Sequence, residues 1–289
     1  MIRTDRLPRP VRAIPVASAL GGTDPGVARG PAALLSAGCL DACPGLVWDV
    51  PPLLPQAGPR LQSLGKLCRS LARRVERTMT SGALPLVIGG DHAIAAGTWR
   101  GVGRALGAPP GLIWLDAHLD AHTPASTPSG NPHGMPLAAL LGQGAPELTG
   151  VPGPALDPAH VCVIGARSFE ASEPALLDHL GVRVFNMAEI GRRGLGLVFA
   201  EALAIAGAGG RAFGLSIDVD VLNPDEAPGV ETPVRGGLAA ADLLPLFAGL
   251  GRLAGCCAIE LVEYDPGRDR DGRTAAVVLA LVRSLFAKV

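Results

Sequence analysis

Short apolar runs alternate with longer stretches in which apolar residues recur at helical spacing, from one end of the chain to the other. Val11–Val16, Leu84–Ile88, Leu112–Leu115, Val161–Ile164, Val182–Phe185, Ala212–Ile217 and Ala258–Leu261 read as strands. Between them Leu61–Met79 reads as a long helix, with Leu64, Leu67, Leu71 and Val75 on one face. Further helices are predicted at Gly30–Ala37, Ala93–Leu106, Pro136–Leu141, Glu173–Leu180, Gly196–Ala206, Ala240–Leu250 and Thr274–Ala287. Strands alternating with helices imply βαβ units: an α/β fold of three layers, α/β/α, around a mainly parallel central sheet. The Pro-rich stretches 51–59 and 146–158 read as surface loops. No internal repeat and no long linker divides the chain, so residues 1–289 are expected to form a single domain.

Composition narrows the function classes. The chain is 48% hydrophobic and 18% charged, with a net charge of −1. That balance excludes a disordered chain and a protein that binds nucleic acid through bulk basicity. The 39 glycines and 27 prolines follow no triplet period, so they mark turns rather than a collagen-like repeat. The six cysteines show no C-x-x-C spacing and read as free thiols in a reducing cytosol. Met1–Arg6 leads into no apolar signal region, and Glu201 interrupts the longest apolar stretch before it reaches membrane-spanning length. A soluble, cytoplasmic protein is expected.

Histidine and aspartate carry the chemistry. Four of the six histidines, at 92, 118, 122 and 133, fall in one window. Three segments share one design, an apolar strand with acids or histidines at its C-terminal end. They end in Gly89-Gly90-Asp91-His92, in Asp116-Ala117-His118-Leu119-Asp120 and in Asp218-Val219-Asp220. In a parallel sheet ligands bind beyond the carboxyl ends of the strands, so the three clusters converge there. Asp116, His118 and Asp120 are two apart and face the same way on an extended chain, as do Asp218 and Asp220. Such a crowd of carboxylates in a half-buried crevice requires cations. His92, Asp116, His118, Asp120, Asp218 and Asp220 supply four carboxylates and two imidazoles. Four negative charges match two divalent ions, and an oxygen/nitrogen set without thiolate favours Mn²⁺ over Zn²⁺, with Fe²⁺ and Co²⁺ as alternatives. Two such ions activate a shared water, which points to metal-assisted hydrolysis.

The three motifs G-G-D-H, D-A-H-x-D and S-x-D-x-D, the last starting at Ser216, resemble those of the ureohydrolases: arginase, agmatinase, guanidinobutyrase and formimidoylglutamase. The resemblance implies a single α/β/α domain, two Mn²⁺ per chain and hydrolysis of a guanidino or formimino C–N bond. It implies Asp116 and Asp218 as shared ligands, His92 and Asp120 on one ion, and His118 and Asp220 on the other. The loop Ser129-Gly130-Asn131-Pro132-His133-Gly134-Met135-Pro136 is similar to that of arginases. There Ser129 and Asn131 would hold the substrate carboxylate and His133 would ferry protons to the leaving amine. Glu263 would grip the guanidinium, Thr232 would line the same pocket, and Asp120 would pass the nucleophile's proton to the departing nitrogen.

Departures fall in the substrate shell. His122 stands where the family has asparagine, which would make it a carboxylate partner or a steric plug. Only Glu170 follows Ile164-Gly165-Ala166-Arg167 where arginases carry an aspartate pair for the α-amino group. Pro228-Gly229-Val230-Glu231-Thr232-Pro233 carries an extra carboxylate, Glu231. Ala93 and Asp265 replace a serine and an asparagine. The expected activity is hydrolysis of L-arginine, or a close carboxylate-bearing guanidino compound, to urea and an amine. Agmatinase, guanidinobutyrase or formimidoylglutamase activity is the alternative within the family. A non-catalytic metal-binding paralogue and a deacetylase of the same fold are the readings outside it. The partner is a small guanidino molecule rather than nucleic acid or membrane, and the resemblance implies a homo-oligomer, trimer or hexamer.

Overall fold

The computed structural model describes residues 8–43 and 45–288; Met1–Arg6, expected to lead into no apolar signal region, lies outside them. Eight strands form one sheet: β1 Val11–Pro15, β2 Leu46–Trp48, β3 Leu84–Ile88, β4 Gly111–Leu115, β5 Val161–Ala166, β6 Arg183–Asn186, β7 Phe213–Asp218 and β8 Cys256–Val262. Their spatial order is β2-β1-β3-β8-β7-β4-β5-β6, and every pairing is parallel. The expected "mainly parallel" sheet is thus wholly parallel among the described strands.

Side-chain alternation along the strands builds two cores. Leu84, Leu86 and Ile88 of β3 and Ile113 and Leu115 of β4 pack with helices Leu195–Ala206, Ala240–Phe247 and Arg273–Leu285. Val87, Leu112 and Trp114 point to the opposite face, against helices Arg60–Thr80 and Ala95–Leu106. Both faces are covered, which is why β3 and β4 read as unbroken apolar runs. Leu71, fully buried on the long helix, shows the scale: truncation to alanine would cost about 2–5 kcal/mol.

Two expectations need correction. The stretch 146–158 is not simply a surface loop, because it contains a helical turn, Pro146–Thr149, and buries Leu148, Val151 and Leu156. The helix expected to run to Leu250 stops at Phe247, with Pro245 in its last turn and Gly249 at φ +74° beyond it. The strand β2 and the helix Met187–Arg193 were not expected; β2 is three residues long and only Leu46 of it is buried.

Sheet order places the chemistry. Strands β3, β8, β7 and β4 are adjacent, and all four end on the same edge. His92 follows β3, Glu263 follows β8, Asp218 ends β7, and Asp116 follows β4.

Candidate active site

His92 is the hub. Its imidazole is buried and stacks on Trp114, ring centroids 4.0 Å apart. Its Nε2 lies 2.9 Å from the Ser216 hydroxyl, which donates to Glu260 Oε2 at 2.7 Å. Thr98 and Trp99 also donate to the Glu260 carboxylate, so the serine proton is committed and its oxygen receives Nε2–H. The Nδ1 lone pair therefore faces the cleft. It lies 3.2 Å from one oxygen each of Asp116, Asp120 and Asp218, yet is aligned for a hydrogen bond with none of them. Burial opposes charge on this ring, but the three carboxylates outweigh it and raise its affinity for a second proton. A cation at the same point would take that proton's place.

A second group shares Asp116. His118 Nδ1 lies 3.0 Å from Asp220 Oδ2 and 3.4 Å from Asp116 Oδ1. Burial opposes its charge, but Asp220 and Asp116 push its pKa up to about 12. Donor atoms of His92, Asp116 and Asp218 fall within 4.8 Å of one another, as do those of Asp116, His118 and Asp220. Burial, then Asp116, push the Asp120 carboxyl up to about 7; burial, Asp220 and Asp116 raise Asp218. These carboxylates crowd one another beyond what protons accommodate well. The donor set fits two divalent cations with a shared carboxylate.

The structure brings the six ligand candidates together, but only partly by the alternation expected of extended chain. β4 ends at Leu115, and Asp120 sits at φ +50°. β7 ends at Asp218, and Asp220 lies in a 3-10 turn whose N–H donates to Asp218 Oδ1 at 2.8 Å. Val219, between them, turns back into the core. Among the described residues only Asp120 and Glu263 are non-glycine residues with positive φ, and both face the cleft. Such backbone strain concentrates at functional sites. Gly90 has its own steric reason: a Cβ there would sit 1.8 Å from the Ser18 carbonyl oxygen.

Around this floor opens a cleft of about 270 Å³. Glu263 Oε1 accepts the His92 N–H at 2.8 Å and lies 3.4 Å from His133 Nδ1, while its buried Oε2 has no partner among the described residues. Burial, foremost, raises the Glu263 carboxyl, against the opposing pull of His133. Ser129 and Asn131 line the rim, Asn131 accepting from Arg60 at 3.3 Å. Thr232 also lines the cleft, but its hydroxyl is committed to Asp220 Oδ2 at 3.1 Å. His122 is buried, with Nδ1 3.2 Å from Ser126 Oγ and Nε2 2.8 Å from Glu170 and 3.3 Å from Glu173. Both ring nitrogens are therefore occupied by protein.

Sequence reasoning missed four contributors. Glu173 joins Glu170 at the rim, so the acid expected to stand alone is one of two. Glu260 was detectable as a lone charge inside the apolar run of β8. Trp114 donates to Asp116 Oδ2 at 2.9 Å, and Arg167 donates to the carbonyls of Asp220, Val221 and Leu222, binding the turn after β7 to the end of β5. Their signals were weak, since a strand tryptophan and a loop arginine are common without any such role.

Comparison with known proteins agrees with this geometry. The sequence matches the Arginase family over residues 11–287. It is 38% identical to the arginase of Bacillus caldovelox, over 97% of this chain and 99% of that one. It is 32% identical to arginase-1 of Homo sapiens, over 91% and 86%. The solved Bacillus caldovelox arginase superposes with a TM-score of 0.91, covering 97% of this chain and 99% of its own. With its three acid- and histidine-bearing motifs at the ends of parallel strands β3, β7 and β4, this chain belongs to the arginase family and is a hydrolase of guanidino C–N bonds.

Proposed function

We propose that the protein is a binuclear manganese amidinohydrolase that converts L-arginine, or a close carboxylate-bearing guanidino compound, to urea and an amine. The observation that carries this is the His92 Nδ1 lone pair, equidistant from three carboxylates, beside a second histidine group that shares Asp116. His92 and Asp120 would hold one ion, His118 and Asp220 the other, with Asp116 and Asp218 common to both. When bound, the pair lowers the pKa of a water so that hydroxide is available near neutral pH.

The rest is work for the chain's own groups. The unpartnered Oε2 of Glu263 accepts N–H bonds of the guanidinium and sets its plane over the floor of the cleft. Asp120 takes the proton of the attacking water and delivers it to the departing nitrogen. His133, half-buried against Glu263, exchanges a proton between solvent and the amine. Ser129 and Asn131 offer donors to a carboxylate at the rim, and Glu170 and Glu173 lie where an ammonium group would be neutralised. An α-amino acid side of the substrate fits that pairing of donors and acids.

A urea-release assay over guanidino compounds, with and without Mn²⁺, tests the reading. L-arginine should be turned over fastest, and chelation should abolish activity until Mn²⁺ is restored. Preference for agmatine would displace the carboxylate-bearing class. Full activity with a single Zn²⁺ would displace the binuclear manganese site.

A further inference from the structure

The carboxylate of Glu231 is bound on one side only. Its Oε1 accepts from Thr23 N–H at 2.8 Å, Thr23 Oγ1 at 3.1 Å and Asp24 N–H at 3.0 Å, while Oε2 is buried without a partner among the described residues. An oxygen of Glu231, a ring nitrogen of His133 and an oxygen of Glu263 all lie within 4.8 Å of one another. The loop that grips Oε1 also seats the histidine, because His133 N–H donates to the Gly21 carbonyl at 3.1 Å. Arg60 fixes that loop in turn, donating to the carbonyls of Leu20, Gly21 and Gly22. Gly22 lets the carboxylate lie this close, since a Cβ there would sit 2.0 Å from Oε2. A carboxylate held this firmly by three donors, with its second oxygen buried and unused and one of its oxygens near a ring nitrogen of His133, is placed to do more than brace a loop.

We propose that Glu231 is the proton donor and acceptor that reloads His133, so that protons pass between solvent and the amine through a two-residue relay, His133 and Glu231. This rests on the reading of His133 as the group that protonates the amine. An O–H bond forms on the Glu231 carboxylate as a solvent hydronium ion becomes water. That bond breaks as the histidine ring gains its N–H, and the ring N–H breaks as the amine becomes ammonium. Charge and atoms balance without any redox partner. The other charged groups facing this pair are Glu263, Asp120 and Asp91 around His133, and Asp24 and Arg268 near Glu231.

Glu231→Gln tests the relay in the manganese-loaded enzyme, because an amide keeps an acceptor for the loop but cannot carry the proton. The expected result is a kcat about 5- to 50-fold lower, below the usual loss for a primary acid–base group because solvent substitutes in part. KM and metal content should be unchanged, and added imidazole should restore part of the rate. With diamagnetic Zn²⁺ in place of Mn²⁺, removing the neighbouring anion should also lower the His133 titration, followed by NMR, by about one unit. Combined with His133→Asn, Glu231→Gln should add little further loss. Wild-type kcat with an unmoved His133 titration would overturn the relay, as would losses that simply add. A decrease reproduced by Thr23→Ala and indifferent to imidazole would reduce Glu231 to a brace. If the wild type hydrolyses no guanidino compound, the underlying reading fails, whereas the NMR titration still decides whether Glu231 and His133 are coupled.

Discussion

At the floor of the cleft, Asp116, Asp218 and Asp220 are each held by backbone N–H groups at the end of a strand or the turn just beyond it. Asp218 closes β7 and accepts the Asp220 N–H, and Asp116 follows β4 and accepts the His118 N–H at 2.7 Å. At the rim the groups come from loops far apart in sequence. Ser129 and Glu170 are exposed, and His122 meets Glu170 across 48 residues. The floor is therefore pre-organised for charge by the sheet itself, while the rim depends on side chains that move relative to one another at little cost. Chemistry should be intolerant of substitution at the floor, and selectivity should be tunable at the rim.

The sharpest break of that contrast is Asp218→Ala. It removes one carboxylate of a group that would neutralise both ions, and should lower turnover at least about a thousandfold and metal content below two per chain. Elemental analysis with a urea-release assay reads both. Two retained metals with most of the activity would mean that Asp218 is not a ligand.

His133 sits between floor and rim, and its effect should be intermediate. His133→Asn should lower kcat by about 10- to 1,000-fold with metal content unchanged, and imidazole buffer should restore part of it. Burial favours loss of the ring proton, but the Glu263 carboxylate outweighs it and holds the ring protonated up to about 9. A raised pKa means that the protonated form is present at lower pH and is lost as pH rises through about 9. The wild-type kcat should descend there, and the descent should be missing in His133→Asn. An identical pH profile in the two proteins would remove His133 from proton transfer.

Beneath the floor, Ser216→Ala should weaken metal binding by about 10- to 100-fold, because Nε2–H of His92 loses the acceptor that keeps Nδ1 free. Glu260→Gln should act in the same direction through Ser216. Competition with a chelator measures both, and unchanged affinity would show that the stack on Trp114 alone orients the ring.

The same contrast explains what the sequence made legible. The ligand motifs are short, follow apolar strands directly and carry charge where a buried strand end tolerates it only with cations, so local pattern revealed them. Even there the mechanism of convergence differed: the left-handed turn at Asp120 and the 3-10 turn at Asp220 were invisible to a reading based on extended alternation. The three layers followed from periodicity alone, whereas the short edge strand β2 offered too few residues to show any. The rim was least legible. Glu173 lies in the first turn of the helix Ser172–Leu180, where an acid needs no functional reason, and only folding brings it to His122.

That rim yields the smallest expected effect. The His122 hydrogen bond is the main reason that the Glu170 carboxyl is held below its usual range. Both ring nitrogens are engaged by protein, and we propose that His122 braces Glu170 and Glu173. Glu170 is exposed, and such a pair contributes only about 0.2–1 kcal/mol. If that brace orients the acids toward an ammonium group, His122→Asn should raise KM for L-arginine by about 1.4- to 5-fold and leave kcat within about twofold. The rise should disappear for 5-guanidinopentanoate, which has the carboxylate and guanidinium but no α-amino group. Equal rises for both compounds would place the effect on the carboxylate side, near Ser129 and Asn131. A KM for L-arginine that falls in the variant would mean that the imidazole obstructs the amino end, and that this cleft is shaped for a smaller guanidino acid.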